Sequence, residues 1–481
     1  MKRKKIEGYI TVYLTMMLGI MIVVITTVIA GARRQTIRFQ TECVMDAGLN
    51  SIFAEYHREA LRRYGLLFID DSYGREGSVD NTKAHFLRYM NMNFEANSGL
   101  GALGTDITSL QADNAFLDKV SFASDDNGTV LRYQIIQYMK TKSGINLISG
   151  NEYNPVDLED SLNEYDVYNE ERNATEETID EMMNDYNASL PEDAEPMNLS
   201  NPADSVEKLS LDGAMYYAFG DGESLSVKVV DTNQYISNRG YTDGYGLYDN
   251  QESPYGISND IFYTSYVFEK LGYYNKKIDN SRLDYQIEYI VAGKDGDIEN
   301  LEEIVNKIFM VRYSVNMGYL LSDAAKQQEA LEMALAVTSA IGNPELVQPV
   351  KTSILLAWGY AESAKDLRIL FDGHKLGAVK TAEDWNTPLS QIVDFKNHLS
   401  EYSFPVNGNM EYKDFLYGFL MITDKDKQNM RLMDIIEMDI RLTPGNGGFK
   451  MDNQIYQMEV LVNVSSRYGY GCSIKRGFSY R

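Results

Sequence analysis

Cysteine is nearly absent from this sequence: 481 residues hold two, Cys43 and Cys472. That excludes a disulfide scaffold and a cysteine-based zinc site, and such low usage is typical of exported Gram-positive proteins. Histidine is almost as scarce. The four (His57, His85, His374, His398) are scattered, with no H-E-x-x-H pair to grip a metal, so no metal or cofactor ligand set is read. Basic charge is outweighed: 45 Lys and Arg face 70 Asp and Glu, a formal charge of −25. Residues 1–38 are themselves strongly positive, so the rest is more acidic still. Nucleic acid needs a basic footprint, which argues against it as a partner. A G-x-S-x-G elbow, a Walker loop and internal repeats are also missing. Tryptophan stands at 2 and tyrosine at 35. Tyrosine-rich surfaces suit interfaces, although half-buried strands account for most tyrosines in such a composition.

What is present is one long apolar run. Tyr9 to Ala32 carries no charge, follows Lys2, Arg3, Lys4 and Lys5, and is followed by Arg33, Arg34 and Arg38. As a helix it spans roughly 36 Å, enough for the ~30 Å hydrocarbon core, with Tyr9 and Tyr13 suited to the interface. The rival reading is a cleaved secretory signal with Ala30-Gly31-Ala32 as its small-x-small site. The run is longer than the about 7–15 apolar residues of such signals, so a retained single-pass anchor is expected. The positive-inside count slightly favours an inside N-terminus, with the acidic body outside. Beyond the span, Met45, Leu49, Ile52/Phe53, Tyr56, Ala60, Tyr64 and Leu67 recur at steps of three and four. They predict an amphipathic helix with a Glu59–Arg63 pair, stopped by Gly65 and followed by a short buried strand at Leu66–Ile69.

This arrangement resembles a known family. "GYITVYLTMMLGIMIVVITTVIAGARRQTIRFQTECVMDAG" looks like the N-terminus of TadE/TadG-like proteins of tight-adherence (Flp) pilus loci. "DAGLNSIFAEYHREALRRYGLLFIDDSYG", "LDYQIEYIVAGKDGDIENLEEIV", "LLAWGYAESAKDLRILFDGHKLGAVKTAEDW", "MEYKDFLYGFLMI" and "RLMDIIEMDIR" resemble a Gram-positive branch found beside such loci. The resemblance implies a pilin-like layout, a helix half in the membrane and half laid on a sheet. It also implies pilus assembly proteins or pilin subunits as partners. Prepilins of this system usually carry Glu five positions beyond the cleaved glycine; after Gly8 that position is Tyr13, which counts against processing there. The metal-ion-dependent adhesion string Asp-x-Ser-x-Ser of some TadG-like proteins does not occur.

Along the chain, residues 69–149 read as an α+β part: a helix at Val79–Asn93, paired strands over Ile107–Ser124, a turn at Asp125-Asp126-Asn127-Gly128 and a helix at Thr129–Lys142. Residues 150–210 hold roughly eighteen acids and, before Lys208, one base, Arg172. They read as a solvated, partly disordered insertion with some helix at Glu170–Asn187. Residues 211–296 suggest small strands and long loops, a helix at Ile261–Tyr274, and a half-buried strand in which Leu283, Tyr285, Ile287, Tyr289 and Val291 alternate. Residues 297–442 predict a helical subdomain, with helices from Asp297, at Asp323–Ile341, Glu345–Phe371, Tyr412–Ile422 and Lys425–Arg441. Residues 443–481 predict a hairpin turning at Ser465-Ser466-Arg467.

The motifs carry little chemistry. Gly99-x-Gly101-x-x-Gly104 lacks the preceding strand and following helix of a dinucleotide site and reads as a flexible loop. Asp295-Gly296-Asp297-Ile298-Glu299 lacks EF-hand spacing, and Asp297 is expected to cap a helix instead. Glu362 and Asp366, one turn apart beside Trp358, read as a solvated face with Lys365 and Arg368 rather than an acid–base pair. Cys43 and Cys472 are expected to be separate buried thiols, or a disulfide if the last strand packs on the juxtamembrane helix. No catalytic, cofactor-binding or metal residue is assigned. The sequence therefore predicts an α+β protein: a transmembrane helix continuing into an amphipathic helix packed on an antiparallel sheet, with a helical subdomain. The function expected is a non-enzymatic, surface-exposed pilus accessory or minor-pilin-like component, the alternative being an anchored enzyme acting on envelope polymer.

Overall fold

Residues 9–53 contain no proline, so nothing interrupts helical hydrogen bonding along the run. In the computed structural model they form one 45-residue helix, α1 (Tyr9–Phe53). The structure describes residues 9–98, 109–142, 155–191, 194–207, 213–220, 225–246, 253–403, 408–467 and 469–480. The apolar first half of α1 is exposed, and it is long and apolar enough to cross a membrane. The second half buries Ile37, Thr41, Val44, Met45, Gly48, Leu49, Ile52 and Phe53, a stripe at the helical period.

The chain divides into two compact units: Met1–Thr141 with Arg239–Pro254 and Asp439–Arg481, and Lys142–Asn238 with Tyr255–Met438. In the first unit α1 ends earlier than the apolar stripe predicts. Tyr56 pairs with Ile69 as a β-bridge, and His57 restarts the helix as α2 (Arg58–Tyr64), its Nδ1 accepting from the Ala60 N–H. Gly65 ends α2 in the left-handed conformation its sequence position suggests, at φ 72°. Glu59 pairs with Arg62, not Arg63; Arg63 reaches Asp439, which also accepts from the Tyr64 hydroxyl.

The sheet is antiparallel and centred on β3 (Gln454–Ser466), flanked on one side by β2 (Leu110–Phe122) and on the other by β4 (Gly471–Ser479) and the two-residue β1 (Ile69–Asp70). The paired strands expected at Ile107–Ser124 are instead one strand, β2. Its register against β3 slips at Ala112/Asn114 and Leu117/Lys119, and these bulges spoil the alternation that a regular strand would show. The C-terminal hairpin forms as expected. Helix α3 (Val79–Ser98) packs on α1, where Phe86 and Met90 close over Gly48; a Cβ there would lie 3.1 and 3.2 Å from them. Asp126, Asn127 and Gly128 turn the chain through left-handed conformations into the regular part of α4 (Asp125–Thr141).

The second unit is helical, and here three expectations fail. The acidic stretch is not a solvated insertion where it is described: Pro155–Ser189 is one helix, α5, burying Leu158, Tyr165, Ile179 and Met183 against α10 (Asp297–Ser322) and α12 (Val347–Phe371). Among the described residues four buried apolar side chains in this 35-residue helix are enough to hold one face while carboxylates solvate the others. The predicted strand at Leu283–Val291 is helix α9 (Gln286–Ala292). Both of its faces are buried, from Gln286 to Ile290, so the alternation carries no information about exposure. The described part of 211–296 otherwise forms α7 (Ala214–Phe219), α8 (Ile257–Lys270) and isolated bridges rather than small strands. The unit is completed by α6 (Asp204–Glu207), α11 (Ala324–Thr338), α13 (Phe395–His398), α14 (Tyr412–Ile422) and α15 (Lys425–Arg441), which runs on into the first unit. Tyrosines fill this helical core. Tyr165 meets Tyr313, and Tyr217 meets Tyr360 and Phe395, in edge-on contacts.

Candidate functional site

Small residues on every side of α12, in Ala357-Trp358-Gly359-Tyr360-Ala361-Glu362-Ser363-Ala364, let neighbours approach closely, and the helix is buried all round. Glu362 and Asp366 therefore lie in the core, each 0 % exposed, and not on a solvated face. They share one cation. Lys380 Nζ lies 2.5 Å from Glu362 Oε1 and 2.8 Å from Asp366 Oδ1. Asp366 Oδ2 also accepts from Arg312 Nε of α10 at 2.9 Å and from Asn316 Nδ2 at 3.0 Å. Burial opposes the charge on Asp366, but Arg312 and Lys380 outweigh it and hold the carboxyl below the usual range. Lys365 donates to the Asn386 carbonyl and Gln391 Oε1, and burial lowers its pKa against the pull of Glu362 and Glu401.

This network fastens the segment after α12 onto the helix. The Asn386 N–H donates to Glu362, and both indoles, Trp358 and Trp385, donate to the Thr387 carbonyl at 2.7 Å. Lys326 completes the layer: its ammonium lies 4.2 Å from the Trp358 ring centre and 5.3 Å from that of Trp385. Two carboxylates and two cations, Arg312 and Lys380, thus lie together in the core, and Glu362 Oε2 is buried there without a hydrogen-bond partner among the described residues.

The network lies inside the span over which the chain matches a family profile: residues 192–466 match a family of unknown function, DUF5702. That is more than half of the chain. The chain belongs to DUF5702. No curated protein and no solved structure matches it. The DUF5702 span runs from just after α5 to the end of β3, so it leaves out α1 and β4.

Within the DUF5702 span, Asp297 is buried and does not take the N-cap position expected of it. Its carboxylate accepts from the N–H groups of Asp284 and Tyr285 at the start of α9 and from the Ser226 hydroxyl, while Gly296 takes the N-cap position of α10. Glu288, wholly buried, accepts from the Tyr412 hydroxyl and the Tyr274 N–H, and burial pushes it up to about 7. Outside the span, Glu55 gathers the hydroxyls of Tyr73 and Tyr89 and the His85 ring. Asp71 is buried near Asp70 and Asp452, and burial first, then those charges, push it up to about 7. The structure brings none of the four histidines together as ligands. His57 caps α2, His85 meets Glu55, His398 pairs with Glu401, and His374 lies near Tyr402. Among the described residues no three His, Cys, Asp or Glu side chains are placed to hold a metal ion. Gly99-x-Gly101-x-x-Gly104 lies outside the described residues.

Both cysteines are free thiols. The last strand does pack on α1, yet Cys472 Sγ faces Thr41 Oγ1 at 3.5 Å, and Cys43 is exposed rather than buried. A groove of about 960 Å³ in the first unit lies between the end of α1 and β4, lined by Phe53, Tyr56, Leu67, Phe478 and Tyr480, with Glu459 as its one carboxylate. Sequence reasoning singled out Glu362 and Asp366 but missed Arg312, Lys380 and Lys326. The one local signal for their burial was the small, apolar surround of the two acids on α12.

Proposed function

We propose that this protein is a non-enzymatic, membrane-anchored component of a tight-adherence pilus assembly system, an accessory or minor-pilin-like subunit with its N-terminus inside and its body outside. The observation that carries this reading is α1: one unbroken helix with an exposed apolar first half, its second half laid against an antiparallel sheet and α3. That is the layout the pilin resemblance implies. The ion pairs that Glu362 and Asp366 of α12 make with Lys380 fit a structural use of these acids, which supports a binding rather than a catalytic role. On this reading the apolar half of α1 packs laterally against other membrane components, and the body meets pilin subunits. The test replaces the anchor with a cleavable secretion signal and follows pilus assembly in cells. The expected product is folded, released and inactive in assembly; pilus assembly that survives release would overturn the proposal.

A further inference from the structure

The turn of the C-terminal hairpin returns to the part of α1 that directly follows the apolar run. Arg34 lies over the Tyr470 ring, 5.7 Å from its centre, and the Arg467 N–H donates to the Ser109 carbonyl beside it. Along the helix Arg34 is about 3 Å beyond Ala32, inside a headgroup layer roughly 5–7 Å deep on each side of the hydrocarbon core. This corner is locally basic, and Asp113 of β2 is the carboxylate at its edge, accepting from the Ser465 hydroxyl at 2.9 Å. Residues 33–41 contain three arginines and no acid, and the turn from Ser465 to Gly471 contains Arg467 and no acid, in a chain of net charge −25. Arg38 is engaged by Glu42 at 3.2 Å, whereas Arg34 and Arg467 are exposed. A tyrosine of amphipathic character beside cationic side chains is the chemistry that settles at a bilayer surface.

We infer that the β3–β4 turn is a second membrane contact, in which Arg34, Arg467 and Tyr470 seat on anionic phospholipid headgroups beside the anchor. The inference rests on α1 spanning a bilayer, as in the proposal above. Charge complementarity and continuity with the apolar run select lipid over a protein partner. Two fixed points, the span and the turn, define how the first unit stands on the membrane, which a single helix alone leaves free to rotate.

The test uses the full chain in vesicles of phosphatidylcholine with and without phosphatidylglycerol, and the variant Tyr470→Trp, which keeps an aromatic ring under Arg34. Wild-type emission from Trp358 and Trp385 is the background and reports that the fold is intact. The expected result is added emission that is blue-shifted, quenched by brominated lipid, and stronger in effect with phosphatidylglycerol. Adding Arg34→Gln or Arg467→Gln should lower the bound-to-free ratio of the turn by about fivefold for each arginine. Protein that floats with vesicles but shows water-like, unquenched emission overturns the turn contact and leaves the anchor standing. Protein that does not float with vesicles overturns the anchor, and this inference with it.

Discussion

Removal of Lys380 should disturb the core around α12. The lysine is buried between two carboxylates, and taking away one partner of a buried ion pair leaves the other charges uncompensated. Lys380→Met is therefore expected to cost about 3–5 kcal/mol. Denaturant unfolding followed by tryptophan emission reads this directly, since Trp358 and Trp385 pack in the same layer. Asp71 gives the opposite case. Its carboxyl is raised from 3.8 to about 7, so the folded chain holds this proton over a range in which the unfolded chain has released it. The contribution to stability is present at low pH, falls as pH rises from about 4 to about 7, and is flat above that. Asp71→Asn should abolish that decline and stabilise the protein by about 1–3 kcal/mol above neutrality, with no gain below about pH 4, as measured by melting curves across pH. A wild-type curve with no such slope would contradict the assignment. Neither residue was singled out in the sequence. A cation that pairs with Glu362 from 18 positions away leaves no local pattern, and the raised Asp71 depends on Asp452, on another element.

At the scale of elements, the contact between α1 and α3 is the most sharply defined. Gly48 brings Phe86 and Met90 within van der Waals reach of the α1 backbone, so Gly48→Leu must push α3 away. A loss of about 1–3 kcal/mol is expected, seen as faster amide exchange along Val79–Ser98 with the second unit unaffected. The elements legible in the sequence were those with one buried face or strong punctuation: the second half of α1, the Asp-Asp-Asn-Gly turn, the Gly65 stop, α14, α15 and the hairpin. Those misread had either no exposed face, like α9, or a buried face too sparse to register, like α5. The bulges of β2 form a third class, because an inserted residue reverses the inside–outside pattern partway along one strand.

For the whole molecule, the exposed thiol of Cys43 reports topology. If the body is outside, as proposed, a membrane-impermeant maleimide added to intact cells should label the protein, and Cys43→Ser should remove most of the signal while Cys472, half-buried against Thr41, reacts slowly. Labelling that requires lysis would place the body inside. The unbroken course of α1 has a mechanical consequence. There is no joint between the apolar run and the part of the helix that carries the sheet, so an α1 that spans a bilayer, as proposed above, would act as a lever arm. From Ala32 to Phe53 that arm is about 32 Å long, and tilting the span by the ~20° common for membrane helices swings its far end by roughly 11 Å. A change in bilayer thickness, or a sideways pull from a neighbour, would thereby appear as a displacement of the sheet large enough for another protein to sense.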